Sequence, residues 1–292
     1  MANISRRAMV VAATAAAAGL AVVGDFALAG GRAPEPTRKG RLKQSVSRWP
    51  YSSIPLPEFC DACKAMGLKA IDLLQPRDWT TVREHGLVCS MGYPTERKDF
   101  LSNGFNNRAS HAMLVGELER TIPLAAKHGV PNVIAMFGNR EGRSDAEGIK
   151  ASTEGLKRIA PLAEKHGVTV CVELLNSKVD HKDYQGDHTA FGVEVMKNVG
   201  SPRVKLLYDI YHMQIMEGDV IRTIRDNLAY SAHFHTGGVP GRHELDETQE
   251  LNWGAVAKEI ADTGFGGFLA HEFVPTRDPL RSLEQAVAIC DA

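Results

Sequence analysis

Beyond residue 40 the chain repeats one grammar. A short apolar run is followed by a loop, then by a longer stretch with apolar residues at three- and four-residue spacing, often closed by glycine. The runs that read as strands are Leu42–Ser47, Ala70–Leu74, Val88–Met91, Val133–Met136, Val168–Glu173, Val204–Asp209, Tyr230–His235 and Gly267–Glu272. The helices expected between them lie near Glu58–Met66, Trp79–Glu84, Ser110–His128, Asp145–His166, Thr189–Asn198, Asp219–Asn227, Trp253–Thr263 and Pro279–Asp291. Met66-Gly67, His85-Gly86, His128-Gly129, His166-Gly167 and Thr263-Gly264 mark helix ends. Eight alternations in about 250 residues predict an α/β fold, the (β/α)8 TIM barrel, because parallel strands need crossover helices and eight of them close. A doubly wound open sheet is the alternative. It would normally carry a glycine-rich phosphate loop after its first strand, and none follows Ser47.

The first 29 residues follow another pattern. Ser5-Arg6-Arg7 precedes an alanine-rich apolar run from Ala8 to Val23, and Ala27-Leu28-Ala29 offers small residues where a signal peptidase reads. The paired arginines resemble a twin-arginine export signal. At about 16 residues the run falls short of the roughly 20 that span a bilayer. Export to the periplasm without stable membrane insertion is therefore expected, with an uncleaved anchor as the alternative. Twin-arginine routes carry folded proteins, often with cofactor bound, which suits a chain that takes up a metal before export. Gly30–Gly40 reads as a linker, and residues 41–292 as the barrel.

A chain that is 43% hydrophobic and 24% charged is neither disordered, collagen-like nor a polytopic membrane protein. Its formal net charge of -1 offers no basic surface for nucleic acid. Five cysteines, scattered and odd in number, are no disulfide framework, and Cys60-x-x-Cys63 on a helix reads as packing.

In a barrel the strand C-termini converge on one mouth, where polar residues are candidates for chemistry. Four consecutive strands deliver Glu173, Asp209, His235 and Glu272 to that rim. One such carboxylate alone is often a helix N-cap or half of a surface ion pair. Four at one register point to a shared task. Crowded carboxylates resist ionisation unless something neutralises them, and a divalent cation is the simplest agent. Three oxygens and one imidazole suit Mn²⁺ or Mg²⁺, with Co²⁺ or Zn²⁺ also open. His233 lies deeper on its strand and reads as a packed or supporting residue, while His271 should face the helices. His85, His128 and His166 close helices, where a cationic group meets the negative dipole end. Asn176 and His212 each follow a proposed ligand by three residues. The loop Thr236–Glu244 combines glycines with Arg242, whose fork of donors can grip a carboxylate or polyol oxygens, and Glu250 and Asn252 close it. Trp49 and Tyr51 wall the pocket or pack on helices. Phe137-Gly138-Asn139-Arg140, after strand four, is a candidate for substrate contact.

At these residues the chain resembles the xylose isomerase-like barrel superfamily, and within it the hydroxypyruvate isomerase family. Glu173-Leu174-Leu175-Asn176 is similar to the family's E-x-x-N, and Asp209-Ile210-Tyr211-His212-Met213-Gln214 to its D-x-Y-H-x-Q. Pro240-Gly241-Arg242-His243-Glu244 and Glu250-Leu251-Asn252 follow P-G-R-x-E and E-x-N, and Glu272 matches the last-strand glutamate. The resemblance implies a divalent metal on Glu173, Asp209, His235 and Glu272. It implies Glu173 and Glu272 as the acid/base pair, with His212, Arg242, Asn176 and Glu244 binding a small-molecule substrate. The expected chemistry is proton loss beside a polarised carbonyl, giving an enediolate that collapses to an isomer or epimer. Two departures matter. Hydroxypyruvate isomerases commonly carry Gln at the third ligand, whereas His235 matches the ketose 3-epimerases, and Thr236-Gly237-Gly238 replaces an acidic residue. A ketose 3-epimerase, a dehydratase of an inosose or keto-sugar, and a non-catalytic exported carbohydrate-binding barrel are the rivals. A DNA-repair barrel of this superfamily needs more strand-end histidines than the first four strands supply. Relatives often pair through outer helices, so a homo-oligomer is an available arrangement.

Overall fold

The expected alternation appears, element by element, in the computed structural model, which describes residues 39–292. The export segment, residues 1–29, and linker residues 30–38 lie outside the described residues. The strands are β1 (Lys43–Ser47), β2 (Ala70–Leu74), β3 (Val88–Gly92), β4 (Asn132–Met136), β5 (Thr169–Glu173), β6 (Val204–Asp209), β7 (Ser231–Thr236) and β8 (Phe268–His271). They pair in parallel, in sequence order, and β8 closes on β1. Every residue of β2, β4 and β5 is buried, as expected of strands covered by helices outside and by packed side chains within.

The helices are α1 (Leu56–Ala65), α2 (Trp79–Glu84), α3 (His111–His128), α4 (Asp145–His166), α5 (Thr189–Val199), α6 (Ile210–Met216), α7 (Val220–Asn227), α8 (Trp253–Asp262) and α9 (Pro279–Ile289). Local chemistry sets several ends. Ser144 and Glu147 form a reciprocal capping box at the start of α4, and Gly167 ends it at φ 68°. The sequence pattern does not anticipate α6, a short helix that starts directly from β6 with Asp209 as its N-cap.

One irregularity bears on the site. Between β2 and β3 the register shifts on both sides of Asp72, and Leu73 adopts φ 56°. A bulge with a left-handed residue re-aims the side chains of its strand. The five cysteines are buried and unpaired, as expected. Among the described residues no helix is long and apolar enough to cross a membrane.

Candidate metal centre

Inward-facing residues of β5, β6 and β7, with Glu272 just beyond β8, meet at the C-terminal mouth. One donor atom from each of Glu173, Asp209, His235 and Glu272 lies within 4.8 Å of all the others. His235 Nδ1 stands 2.5 Å from Glu272 Oε2, 3.2 Å from Glu173 Oε1 and 3.8 Å from Asp209 Oδ2. All four residues are buried. The expected ligand set is therefore brought together.

Burial raises the Glu173 carboxyl above its ordinary range, with the nearby Glu272 adding to it. Asp209 is pushed up to about 7, first by burial and then by its carboxylate neighbours, against the pull of Arg242. Burial also acts on Glu272, but Arg242 and His235 outweigh it and hold that carboxyl at about 2. Burial alone would lower His235; Glu272, with bonds to Asp72 and Glu173, lifts it well above its usual range. Three carboxylates thus share two cationic groups. Arg242 Nη2 donates to Glu272 Oε2 at 2.7 Å and to Asp209 Oδ2 at 3.1 Å. Three oxygens and one imidazole nitrogen this close together, with Nδ1 lacking a hydrogen bond of proper geometry, fit a divalent cation.

The loops place the remaining candidates. Asn176 accepts from the backbone N–H of Val179 and Asp180, and its amide donates to Nδ1 of His212 at 2.6 Å. That leaves the His212 proton on Nε2, which lies 3.6 Å from Asp209 Oδ2. Burial and Arg242 drive the His212 pKa well down, so the ring is a neutral donor. Asn176, expected at the substrate, orients the His212 ring. Arg242 lies between the rings of Trp49 and Tyr211, 5.5 and 5.3 Å from their centroids. Its loop folds tightly at Gly238, where a Cβ would come within 2.2 Å of the Glu244 carbonyl oxygen.

Glu244, expected to bind substrate, is engaged by the scaffold. Its carboxylate accepts from Thr276 N and Oγ1 and from Ser282 Oγ, each at 2.9 Å, and it pairs with Arg277. Those bonds tie the loop after β7 to the segment after β8. Phe137–Arg140 is likewise taken up by the fold: Phe137 packs edge-on against Phe191, and Arg140 pairs with Asp145. Tyr51 stacks on Phe59 in the core, while Trp49 stays at the mouth and donates its Nε1–H to Glu272 Oε1 at 2.6 Å. His271 faces outward as expected, bonded to Gln44 and Thr236.

Sequence reasoning missed three residues here. Asp72 of β2 is fully buried and lies 2.8 Å, through Oδ2, from His235 Nε2. Ser90 donates to Asp72 Oδ1 at 2.5 Å. His181 sets its ring against that of His212, with centroids 5.2 Å apart. The available signal for Asp72 was a lone carboxylate inside an apolar strand.

A profile of the xylose isomerase-like TIM barrel family matches residues 29–291. The chain belongs to this family. Among its relatives is the putative hydroxypyruvate isomerase of Homo sapiens, 26% identical over 240 residues and 80% of each chain. The 2-oxo-tetronate isomerase of Cupriavidus necator is 36% identical over 84 residues, 29% of this chain and 32% of its own. Among solved structures, the protein described as AP endonuclease, family 2 from Brucella melitensis superposes with a TM-score of 0.75. It is 23% identical and covers 83% of this chain and 97% of its own. At that identity the likeness is one of fold. The family's barrel carries the acidic and histidine cluster at its mouth in this chain.

Proposed function

We propose that this chain is a divalent-metal-dependent isomerase of a small α-hydroxycarbonyl or sugar substrate, hydroxypyruvate isomerase-like. The observation that carries the reading is the convergence of Glu173, Asp209, His235 and Glu272 within 4.8 Å at the barrel mouth. Mn²⁺ or Mg²⁺ held there would polarise a carbonyl and acidify the neighbouring C–H. The chain's own groups do the rest. Glu173 and Glu272 flank the ligand position and exchange the substrate proton between them. Arg242, steadied between Trp49 and Tyr211, and His212, fixed by Asn176, offer N–H groups to substrate oxygens. The isomerase names of a relative matched over 80% of this chain and of another matched over 84 residues support this reading.

A second reading, ketose 3-epimerisation, is favoured by His235, since a histidine at this ligand matches the epimerases. Return of the proton to the adjacent carbon gives an isomer, and return to the opposite face of the same carbon gives an epimer.

Elemental analysis of the purified chain, followed by a screen of α-hydroxy aldehydes and ketoses in deuterated water, tests the proposal. About one dication per chain and deuterium at the substrate's α-carbon are expected, with label lost in Glu272→Gln. A chain that neither takes up metal nor exchanges any α-hydrogen would be a binding barrel instead. Export completes the proposal, supported by the arginine pair and apolar run of residues 6–23. Sequencing the N-terminus of the periplasmic form checks it, and an intact Met1 would exclude cleavage.

A further inference from the structure

We infer that Asp72 is a positioning residue for the metal centre: its carboxylate holds the imidazole of His235 in the one tautomer and orientation that turn a nitrogen lone pair toward the three other ligands. The inference rests on the metal reading above and concerns how this chain builds its nitrogen ligand.

Three observations carry it. The first is geometric. Asp72 Oδ2 lies 2.8 Å from His235 Nε2, on the side of the ring opposite the carboxylate cluster that Nδ1 faces. A carboxylate accepts and cannot donate, so the shared proton sits on Nε2 and Nδ1 is left for the ligand position. Asp72 is itself held in place. Ser90 donates to Oδ1 at 2.5 Å, and His233 Nε2 approaches the same oxygen at 3.2 Å.

The second observation is the backbone. Leu73 adopts φ 56°, and the β2–β3 register breaks on either side of Asp72. A bulky residue in this region is strained and persists where the surroundings enforce it. Here the distortion falls on the residue next to the carboxylate that meets His235.

The third is burial. Asp72, Ser90, His233 and His235 have no exposed surface. Desolvating a carboxylate is costly, and a well-packed apolar side chain commonly serves stability as well or better. Neither cost is explained by the fold alone. Both are explained if the carboxylate orients a ligand.

The test reads metal affinity, with folding followed separately. Chelator-stripped wild type, Asp72→Asn, His235→Gln and the double variant are titrated with Mn²⁺ by calorimetry, and each metal-free form is melted. An asparagine at position 72 can present its N–H₂ to Nε2 and drive the proton onto Nδ1. Asp72→Asn should therefore weaken Mn²⁺ binding by about 10- to 100-fold. A glutamine at 235 ligates through an amide oxygen that has no tautomer, so Asp72→Asn should add nothing in that background. Equal affinity in wild type and Asp72→Asn, or the same loss in both backgrounds, overturns the inference and makes Asp72 a packing residue. A wild type that takes up no Mn²⁺ overturns the parent reading and this one with it. Should Asp72→Asn fail to fold, ¹⁵N-histidine NMR of the Mg²⁺-loaded wild type decides. The Nε2–H form of His235 is expected, and the Nδ1–H form overturns the inference.

Discussion

Acidifying the medium should drive a bound dication from this site well above the pH at which ordinary carboxylates titrate. The metal-free Asp209 carboxyl sits at about 7, raised first by burial and then by Glu272 and Glu173. A cation has to displace whatever proton is there. Passing from about pH 8 to about pH 6 takes Asp209 from mostly ionised to mostly protonated, which weakens binding about tenfold, or about 1.4 kcal/mol. Glu272 and the bonds to Asp72 and Glu173 lift His235 well above its usual range as well, which pushes in the same direction. The sign is unambiguous: the metal-free site binds more protons, so affinity rises with pH. Solvated carboxylates, ionised at about pH 4, would give a flat profile. Mn²⁺ titration calorimetry across this range, in two buffers of different ionisation heat, measures both the affinity and the protons released. A constant affinity with no proton release would refute the reasoning.

Trp49→Phe removes the indole bond to Glu272 Oε1, one of the contacts that hold that carboxyl at about 2. The acid limb of the pH–rate profile should move upward while metal content stays the same; an unmoved limb sinks the assignment. Arg242→Ala frees the Asp209 and Glu272 oxygens that the guanidinium bridges, so Mn²⁺ should bind more tightly while turnover falls. A parallel loss of both would show Arg242 serving the fold. Glu244→Gln removes a carboxylate that bonds to Thr276 and Ser282 hold at about 2 against the cost of burial. It should cost about 2–3 kcal/mol of stability at neutral pH, a contribution full above about pH 4.5 and lost as pH falls toward 2, with Mn²⁺ affinity unchanged. Denaturation at several pH values checks this, and a loss of metal affinity would return Glu244 to the site. Gly104→Ala would set a Cβ 2.3 Å from the Phe137 carbonyl carbon, which belongs to backbone that cannot swing aside. A cost of about 1–3 kcal/mol is expected in thermal melts, and a wild-type Tm would contradict the geometry.

The barrel and the four-residue cluster were legible because both depend on short-range rules. Apolar runs of strand length, glycines such as Gly129 and Gly167 at helix ends, and polar residues at strand termini are local signals. Asp72 was not legible, because it lies two residues inside the strand end and reaches His235 only across the barrel, past a bulge no pattern announces. The anchoring of Glu244 was not legible for a related reason. Its motif neighbour Arg242 turns inward at φ 59°, and two residues on the chain faces the other way, into bonds with the segment after β8. The helix α6 was hidden by its length, since seven residues are too few for periodicity to register.

The two readings weighed for each strand-end carboxylate, cap or chemistry, need not exclude one another. Asp209 uses Oδ1 to cap α6 through the backbone N–H of His212 and turns Oδ2 toward the cluster. Glu272 gives Oε1 to Trp49 and Oε2 to His235 and Arg242. His235 gives Nε2 to Asp72 and Nδ1 to the carboxylates. In each case one atom is spent fixing the side chain to the fold, and that bond aims the other. Glu173 departs from the pattern. Among the described residues its carboxylate is met by His235 alone, so it is the member of the cluster least tied to the scaffold. On the proposed mechanism that freedom suits Glu173 as the carboxylate that moves a proton, with Glu272, anchored by Trp49 and Arg242, as its fixed partner, while the anchored Asp209 and His235 suit groups whose task is to stay where they are.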